Sequence, residues 1–353
     1  MSKNFLEIKN VSFKVGGKTK LLMVDGDFQM VYYRTDVLSS KGLQPPKTWE
    51  EYLEVASKIH GEDMNGDGEG DFGSCIFKKR NAQSYFAIQT FAAPIVQTQG
   101  TAQGFHFDNA TMKPIINNEG WKKAFELYKA SGQYGPPDEL NMDIGDTRAW
   151  FKAGRCGLIV EWGDPGTLQL DDDAKSIRGK MYAISAVGST EVLDRATGKL
   201  VPVSAATAPY AVDGINYAPF AAFGGWAGAV NKGADAKTKA AAYAFLSYMN
   251  QAAQSGVDVT IGATGYNPYR TSQLASTDLW VKAGMPKALA DNYLGAINGA
   301  INNLNMASDM KIPGAQKYTS VVLDTELARY LAGEITVDEA LANIEEGLSL
   351  IHI

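Results

Sequence analysis

Oxygen-bearing side chains spaced along a short glycine-rich stretch form the sharpest chemical motif of this sequence. Residues 63–71 read DMNGDGEGD, which places such side chains at positions 1, 3, 5 and 9 of a loop. Position 6 is glycine, which permits the tight turn of a calcium-binding loop, and position 7 would offer its backbone carbonyl. The sequence therefore predicts a structural calcium ion (Ca²⁺) held by Asp63, Asn65, Asp67, Glu69 and Asp71.

The alternative interpretation of this stretch is an acidic turn that is exposed to solvent after a helix. A complete calcium loop of this type carries a bidentate glutamate at position 12, and that position is Ser74 here. A remote carboxylate or water would have to complete the coordination shell. In the calcium interpretation the ion stabilises a surface loop and takes no part in a reaction.

Motifs for other reactions are incomplete in this sequence. Residues 16–19 read GGKT, like the end of a phosphate-binding loop, but Ser12 stands where that motif requires glycine. Residues 68–73 match the spacing of a dinucleotide-binding motif, but two acidic residues would lie against the pyrophosphate. The three histidines form no zinc-binding pattern, and the sequence contains no GxSxG motif. Nucleotide binding and histidine- or zinc-dependent hydrolysis are therefore disfavoured.

The composition is that of a soluble globular protein. Of 353 residues, 45% are hydrophobic and 20% are charged, and 33 Lys and Arg against 39 Asp and Glu give a net charge of −6. Because there is no basic stripe, nucleic acid is not an expected partner. The longest apolar stretch, 217–230, is interrupted by proline and glycine and is too short to span a bilayer. Two cysteines, Cys75 and Cys156, leave their pairing and the redox compartment open.

Strand-like and helix-like patterns alternate along the chain, which predicts an α/β fold. Alternating apolar residues predict strands at 6–15 and 28–33, and a short apolar run predicts a buried strand at 157–162. Two capping boxes, TWEE at 48–51 and TVDE at 336–339, predict the starts of two helices. Apolar residues at helical spacing or a helix-forming composition predict further helices at 121–128, 139–152, 234–250, 287–303 and 320–332.

Five short segments stand in a characteristic order and spacing within residues 21–348. They are DGDFQMVYYRTD at 25–36, GLQPPKTWEEY at 42–52, FKAGRCGLIVEWGD at 151–164, GGWAGAV at 224–230 and GYNPYR at 265–270. Each segment is a weak motif alone. Together they resemble bacterial ABC-transporter solute-binding proteins, in particular the sugar-binding group related to maltose-binding protein.

This resemblance implies two α/β lobes joined by crossing strands, with a ligand-binding cleft between the lobes. It assigns residues 21–221 together with about 270–350 to the C-terminal lobe, and residues 222–269 to what remains of the N-terminal lobe. We expect the N-terminal lobe to be incomplete, because its first part has no counterpart before Asp25. Residues 1–20 instead resemble the start of an ABC-transporter ATPase, which predicts a foreign N-terminal segment.

The resemblance also implies a function in transport. Such a protein binds a mono- or oligosaccharide in the cleft between its lobes and delivers it, as a monomer, to the permease subunits of an ABC importer. The implied location is periplasmic or otherwise extracytoplasmic, although the first residues show no secretory signal. The alternatives are a carbohydrate-active enzyme with paired carboxylates, or a truncated fragment without function. The incomplete catalytic motifs favour binding over catalysis.

Candidate ligand-binding residues follow from the chemistry of sugars, whose C–H faces pack on aromatic rings and whose hydroxyls need donors and acceptors. Trp162 follows the predicted buried strand, and Trp226 lies among glycines that would let a ligand approach the backbone. The alternative for each candidate is a role in the core, in a turn or in a surface ion pair. The candidates are Asp25, Asp27, Tyr33, Trp162, Asp164, Trp226, Tyr266 and Arg270. The remaining tryptophans, predicted to be core residues, are Trp49, Trp121, Trp150 and Trp280.

Overall fold

The computed structural model describes residues 14–15, 18–222 and 224–350 of the chain. Its helices are α1 (Thr35–Ser40), α2 (Trp49–Ile59), α3 (Ser84–Val96), α4 (Glu119–Ser131), α5 (Ile144–Lys152), α6 (Pro165–Leu168), α7 (Ala236–Met249), α8 (Ala252–Asp258), α9 (Thr271–Leu274), α10 (Asp278–Lys282), α11 (Lys287–Ile301), α12 (Asp324–Leu331) and α13 (Val337–Ser349). Within the described ranges, no helix is long and apolar enough to cross a membrane. The strand predicted at 6–15 lies mostly outside them, as does much of the segment 1–20.

The strands are short. They are β1 (Lys14–Val15), β2 (Lys18–Thr19), β3 (Leu22–Met23), β4 (Gln29–Arg34), β5 (Phe72–Cys75), β6 (Cys156–Trp162), β7 (Met181–Ile184), β8 (Glu191–Asp194), β9 (Lys199–Pro202) and β10 (Ala227–Gly228). Four of them form the central sheet in the order β5–β6–β4–β7, in which β5 and β6 are parallel and the other pairs are antiparallel. Gln29 pairs with Trp162. The residues before Gln29 and after Trp162 therefore leave the sheet at the same edge.

Each face of the central sheet packs against helices, because alternate side chains of a strand point to opposite faces. On β6, Leu158 and Val160 enter a core shared with α2, α3, α4, α12 and α13. Ile159 of the same strand enters a second core shared with α10 and α11. The central sheet is therefore the middle layer between two layers of helices, which confirms the predicted α/β class. We call this sheet with helices α2–α4 and α10–α13 the sheet body.

The two predicted capping boxes lie at the starts of α2 and α13. The Thr48 hydroxyl accepts the backbone N–H of Glu51, and the Thr336 hydroxyl accepts that of Glu339, both at 3.2 Å. Glu339 also accepts the N–H of Thr336 and completes its box, whereas Glu51 accepts the N–H of Lys47. In the region 320–332, a π-helical segment (Lys317–Leu323) continues directly into α12.

Trp49, Trp121 and Trp280 are fully buried, as predicted for core residues. The ring of Trp49 stacks on Phe91 with 3.7 Å between centroids. Trp150 differs from these three, because it lies at the end of α5 and is only half-buried. Its ring packs edge-on against Phe72, at 5.2 Å between centroids.

Cys75 of β5 and Cys156 of β6 form a disulfide bond between neighbouring parallel strands, with 5.8 Å between their Cα atoms. The bond joins residues that are 81 positions apart. In the chain-entropy model, closing a loop of this length stabilises the fold by about 4–5 kcal/mol. Disulfides are typical of oxidising compartments outside the cytoplasm. The sequence alone left this pairing open.

Residues 224–266 contribute little to either core. No residue of α7 is buried, and Trp226, Tyr243 and Phe245 are 62%, 64% and 61% exposed. The short strands β3 and β10 pair antiparallel and attach this part of the chain to the segment that leads into β4. The residue bounds predicted for the two lobes stay a prediction, and the smaller predicted part, 222–269, includes these weakly buried residues.

Candidate functional site

Three of the predicted ligand-binding aspartates gather where β4 and β6 leave the central sheet. Asp25 and Asp27 precede β4, and Asp164 follows β6, so the pairing of Gln29 with Trp162 brings them to one edge. All three are buried, with 0%, 8% and 2% of their surface exposed. We call these aspartates together with Glu161, Arg148 and Asn267 the acidic cluster.

Asn267 connects two of these aspartates to the loop that precedes α9. Its backbone N–H donates to Asp25 Oδ1 at 2.6 Å, and its side-chain amide donates to Asp25 Oδ1 at 3.1 Å and to Asp27 Oδ1 at 2.8 Å. The absence of a side chain at Gly163 permits this approach, because a Cβ there would collide with Asn267 and with the ring of Phe28. Residues from distant parts of the sequence are thus fixed against one another.

Arg148, on α5, supplies a positive charge to the acidic cluster. Its guanidinium pairs with Glu161 at 3.0 Å and with Asp164 at 2.8 Å. Glu161 is fully buried, whereas Arg148 keeps 20% of its side chain exposed. Its charge also reaches Asp27 through space, so this one guanidinium acts on three of the four carboxyl groups of the acidic cluster.

Burial raises the pKa of every carboxyl in the acidic cluster. The pKa of Asp25 rises to about 7, chiefly because burial removes its charge from water. The pKa of Asp27 lies well above its usual range because of burial and the nearby charges of Asp25 and Asp164. Burial also raises the pKa of Glu161 and Asp164, although the guanidinium beside them acts in the opposite direction.

The acidic cluster contains hydrogen-bond acceptors that no protein donor satisfies. Among the described residues, nothing donates to Asp25 Oδ2, Asp164 Oδ2 or Asn267 Oδ1, and all three atoms are buried. A buried polar atom without a partner costs about 1–3 kcal/mol. Chemically, this arrangement suits a group that carries hydroxyl or ammonium protons.

An aromatic groove lies beside the acidic cluster. Its volume is about 440 Å³, and its lining includes Trp226, Phe245 and Tyr266. The backbone N–H of Val24 donates to the carbonyl of Trp226 at 3.0 Å, which joins the groove to the segment that carries Asp25. Tyr266 precedes Asn267 in the chain and is half-buried. Two of the predicted aromatic candidates, Trp226 and Tyr266, therefore line one surface.

Trp162, by contrast, lies in the core of the sheet body. It is 4% exposed, and its ring packs edge-on against Phe86 at 4.9 Å between centroids. Its indole N–H donates to Gln83 Oε1 at 2.6 Å. This burial favours the alternative of core packing over direct stacking on a ligand.

The contacts described for Tyr33 and Arg270 are with residues outside the acidic cluster and the aromatic groove. Tyr33 is half-buried on β4, with its ring 6.3 Å from that of Tyr182. Arg270 is 1% exposed, lies over the ring of Tyr269 at 5.3 Å and donates to the carbonyl of Asn250. Arg270 is therefore buried, and its interpretation as part of a surface ion pair is wrong.

The sequence analysis missed Arg148, Glu161 and Asn267. Glu161 carried a usable signal, because it stands in an otherwise apolar run that was predicted to be a buried strand. A charged side chain in such a strand requires a partner of opposite charge. Arg148, in the predicted helix before this strand, is that partner, but Lys152 and Arg155 stand nearer to Glu161 in the sequence and made the choice ambiguous.

The predicted calcium loop lies between α2 and β5 and is largely exposed, except for Met64 and Asp71, which are buried. The Asp63 carboxylate accepts the backbone N–H groups of two following glycines at 2.7 and 2.9 Å. Arg155 pairs with Glu69 at 2.9 Å and with Asp71 at 2.7 Å. Within residues 14–15, 18–222 and 224–350, no three acidic, histidine or cysteine side chains are arranged to hold a metal ion. Calcium binding therefore stays a prediction.

Comparison with known proteins gives a family match over most of the chain. A model of the family described as bacterial extracellular solute-binding protein matches residues 4–287. The comparisons support neither the predicted truncation nor an ATPase-like start, since the family match itself begins at residue 4.

Solved structures with the same fold include three sugar- or polyol-bound proteins. A solute-binding protein of an ABC transporter from Agrobacterium radiobacter K84, in complex with ribitol, has a TM-score of 0.71 at 19% identity, covering 99% of this chain and 75% of that one. Maltose-bound MalE3 of T. maritima has a TM-score of 0.71 at 19% sequence identity, and the match covers 99% of this chain and 76% of that one. A D-mannitol-bound protein from Agrobacterium vitis S4 gives 0.69 at 20%, also covering 99% and 76%.

Proposed function

Because this chain belongs to the family of bacterial extracellular solute-binding proteins, we propose that it binds a carbohydrate, a mono- or oligosaccharide, for delivery to an ABC importer. The observation that carries the proposal is the juxtaposition of buried acceptors in the acidic cluster with the aromatic groove. Family membership decides against the enzyme alternative, because such proteins bind and release their solute unchanged. The extracytoplasmic location that the family implies agrees with the disulfide bond.

The chemistry of a sugar or polyol matches the two parts of this site. Its hydroxyl groups are donors, and Asp25 Oδ2 and Asp164 Oδ2 are acceptors to which none of the described residues donates. Its C–H faces pack on aromatic rings, and Trp226 offers such a ring with 62% of its surface exposed. Ribitol, D-mannitol and maltose, the ligands of the structural neighbours, share both features.

The proposal extends to partner and location. We propose that the protein acts as a monomer, on the periplasmic or outer side of the membrane, and that the permease subunits of the importer receive the solute. Because the protein must first bind the solute and then release it to the permease subunits, it must hold the solute reversibly.

The first experiment is a thermal-shift and calorimetric screen of the protein against ribitol, D-mannitol, maltose and D-tagatose. A ligand at one hundred times its Kd stabilises the folded state by about 2.7 kcal/mol, so a true solute raises the Tm measurably. For that solute, Trp226→Ala should weaken binding by about 2 kcal/mol or roughly 30-fold. Because Trp226 is largely exposed, the Tm without solute should change little.

Tyr243→Ala is the matched control, because Tyr243 is 64% exposed and belongs to the same part of the chain but does not line the groove. This variant should bind the solute as the wild type does. A Trp226→Ala protein with unchanged affinity would contradict the assignment of the groove. A broad panel of sugars and polyols without any binding would contradict the proposed function itself.

A further inference from the structure

A small space beside Gly265 lies between the aromatic groove and the acidic cluster. Gly265 lines the groove, and a Cβ placed on it would lie 3.9 Å from Asp164 Oδ2. We propose that this space receives a protonated amine, and that the solute is therefore an amino sugar or an amino polyol. The inference rests on the proposed function and names the chemical class of the solute for the same site.

Asp164 Oδ2 is the acceptor that an amine in this space would meet. The side chain of Asp164 is 2% exposed, and its other oxygen, Oδ1, accepts the guanidinium of Arg148 at 2.8 Å. This salt bridge fixes the carboxyl group, whereas none of the described residues donates to Oδ2. Because Oδ2 faces the Cβ side of Gly265, a donor that enters from the groove displaces no protein partner.

The absence of a side chain at residue 265 keeps this space open. Gly265 has a φ of +69°, a left-handed conformation that residues with a side chain rarely adopt. Apart from its neighbours in the chain, no other described atom than Asp164 Oδ2 lies within 4 Å of the Cβ position. An ammonium group is about as large as a methyl group, so it fits where this Cβ would stand.

The charge of the acidic cluster favours a cation over a neutral hydroxyl. The cluster has four carboxyl groups and one guanidinium, that of Arg148, which donates to Glu161 and Asp164 alone. Asp25 Oδ2 is a second buried oxygen to which none of the described residues donates. A buried carboxylate is costly unless a cation pairs with it. An ammonium group supplies positive charge and up to three N–H donors, whereas a hydroxyl supplies one donor and no charge.

The aromatic groove suits the rest of such a solute. None of the described residues that line it carries a positive charge, and the exposed ring of Trp226 attracts a cation as well as the C–H face of a sugar. Burial raises the pKa of Tyr266, and the negative charges of Asp25 and Asp258 act in the same direction. The groove therefore lies in a field of negative charge, which attracts a cationic solute.

The experiment measures Kd by isothermal titration calorimetry at pH 7 for pairs of solutes that differ in one group. The pairs are D-glucosamine and D-glucose, D-mannosamine and D-mannose, D-galactosamine and D-galactose, and 1-amino-1-deoxy-D-glucitol and D-glucitol. In the pair that binds, we expect the amine to bind about ten-fold more tightly than its hydroxyl counterpart, because hydrogen bonds between charged groups are stronger. The N-acetyl form, which keeps the nitrogen without the charge, should lose this advantage.

Asp164→Asn tests the acceptor beside Gly265. The substitution removes the negative charge and keeps an oxygen that can accept the guanidinium of Arg148. It should abolish the preference for the amine, so that both members of a pair bind with about the same Kd. Asp172→Asn is the matched control, because it makes the same chemical change at a fully exposed carboxylate. This control should keep the preference of the wild type.

The wild-type pairs decide the question even if Asp164→Asn fails to fold. A neutral sugar or polyol that binds at least as tightly as its amine overturns the inference and leaves the proposed function standing. The same preference for the amine in the wild type and in Asp164→Asn overturns the position of the amine beside Gly265. If no carbohydrate binds, with or without an amine, the proposed function is contradicted and the inference falls with it.

Discussion

Helices α3 and α7 are nearly equal in length, with 13 and 14 residues, yet they are buried to very different extents. Eleven residues of α3 are buried, and its aromatic side chains pack against the central sheet and α4. No residue of α7 is buried, and Tyr243, Phe245 and Tyr248 are each more than half exposed. One helix belongs to the sheet body, and the other stands beside the aromatic groove.

The difference shows that two kinds of interaction hold this molecule together. The position of α3 follows from apolar burial, which contributes about 25 cal/mol per Å². Helix α7 depends more on local chemistry: it is rich in alanine, and Asp235 caps its start by accepting the N–H of Thr238 at 2.9 Å. We therefore expect substitutions in α3 to lower the stability of the whole fold. Substitutions in α7 should change that stability little and alter mainly the surface of this helix.

The largest expected effect is at Phe91 of α3. Its ring is fully buried, stacks on Trp49 and packs edge-on against Tyr128 at 5.2 Å. Phe91→Ala should lower the free energy of unfolding by about 3–5 kcal/mol, through lost burial and a residual cavity. Urea unfolding followed by circular dichroism measures this change.

The matched variant on the other helix is Phe245→Ala, which removes the same ring from a residue that is 61% exposed. We expect a change of less than about 0.5 kcal/mol, since the lost contacts are few and alanine favours the helix. If Phe245→Ala lowered the free energy of unfolding as much as Phe91→Ala does, the contrast between α3 and α7 would be wrong. Such a loss would mean that the aromatic face of α7 is covered in solution, which would contradict the proposed monomer.

The next effect concerns the disulfide bond of the sheet body. Replacing Cys75 and Cys156 together by alanine should lower the free energy of unfolding by about 2–5 kcal/mol. A reducing agent should bring the wild type to the level of the double variant and leave that variant unchanged. Two free thiols in the unfolded, unreduced wild type would contradict the bond.

Features fixed by neighbouring residues in the sequence were predicted well. The α/β class, the starts of α2 and α13 and three of the buried tryptophans all follow from periodicity and capping over a few residues. Strands β5 and β7 gave no usable pattern, because each has only four residues and lies in a region rich in turns. Short strands take their structure from their neighbours in the sheet.

The candidate site was predicted only in part, because its residues come together from distant parts of the chain. Asp25 and Asn267 are 242 positions apart, and no local pattern relates them. Trp162 and Trp226 had similar sequence settings, yet one lies in the core and the other faces solvent. Their different exposure depends on whether α3 or α7 packs nearby, which is a property of the tertiary structure.

A smaller effect than that of the disulfide is expected from calcium, which would bind the loop of the sheet body at 61–73, a loop held largely by hydrogen bonds. The pKa of Asp67 is lowered, chiefly by the backbone N–H of Glu69, so this exposed carboxylate stays charged at neutral pH. Calcium at ten times its Kd should raise the Tm by about 2 °C, magnesium should do less, and Asp67→Ala should abolish the rise.

Arg155 gives this last prediction its sharpest form, because its guanidinium already neutralises Glu69 and Asp71. A cation would have to compete with it for two of the proposed ligands. Arg155→Gln should therefore lower the Tm without calcium and enlarge the rise that calcium produces, whereas Asp172→Ala should leave that rise unchanged. If the wild type and Arg155→Gln each melt identically in calcium and in chelator, the loop is an acidic turn held by Arg155 and by its own backbone amides.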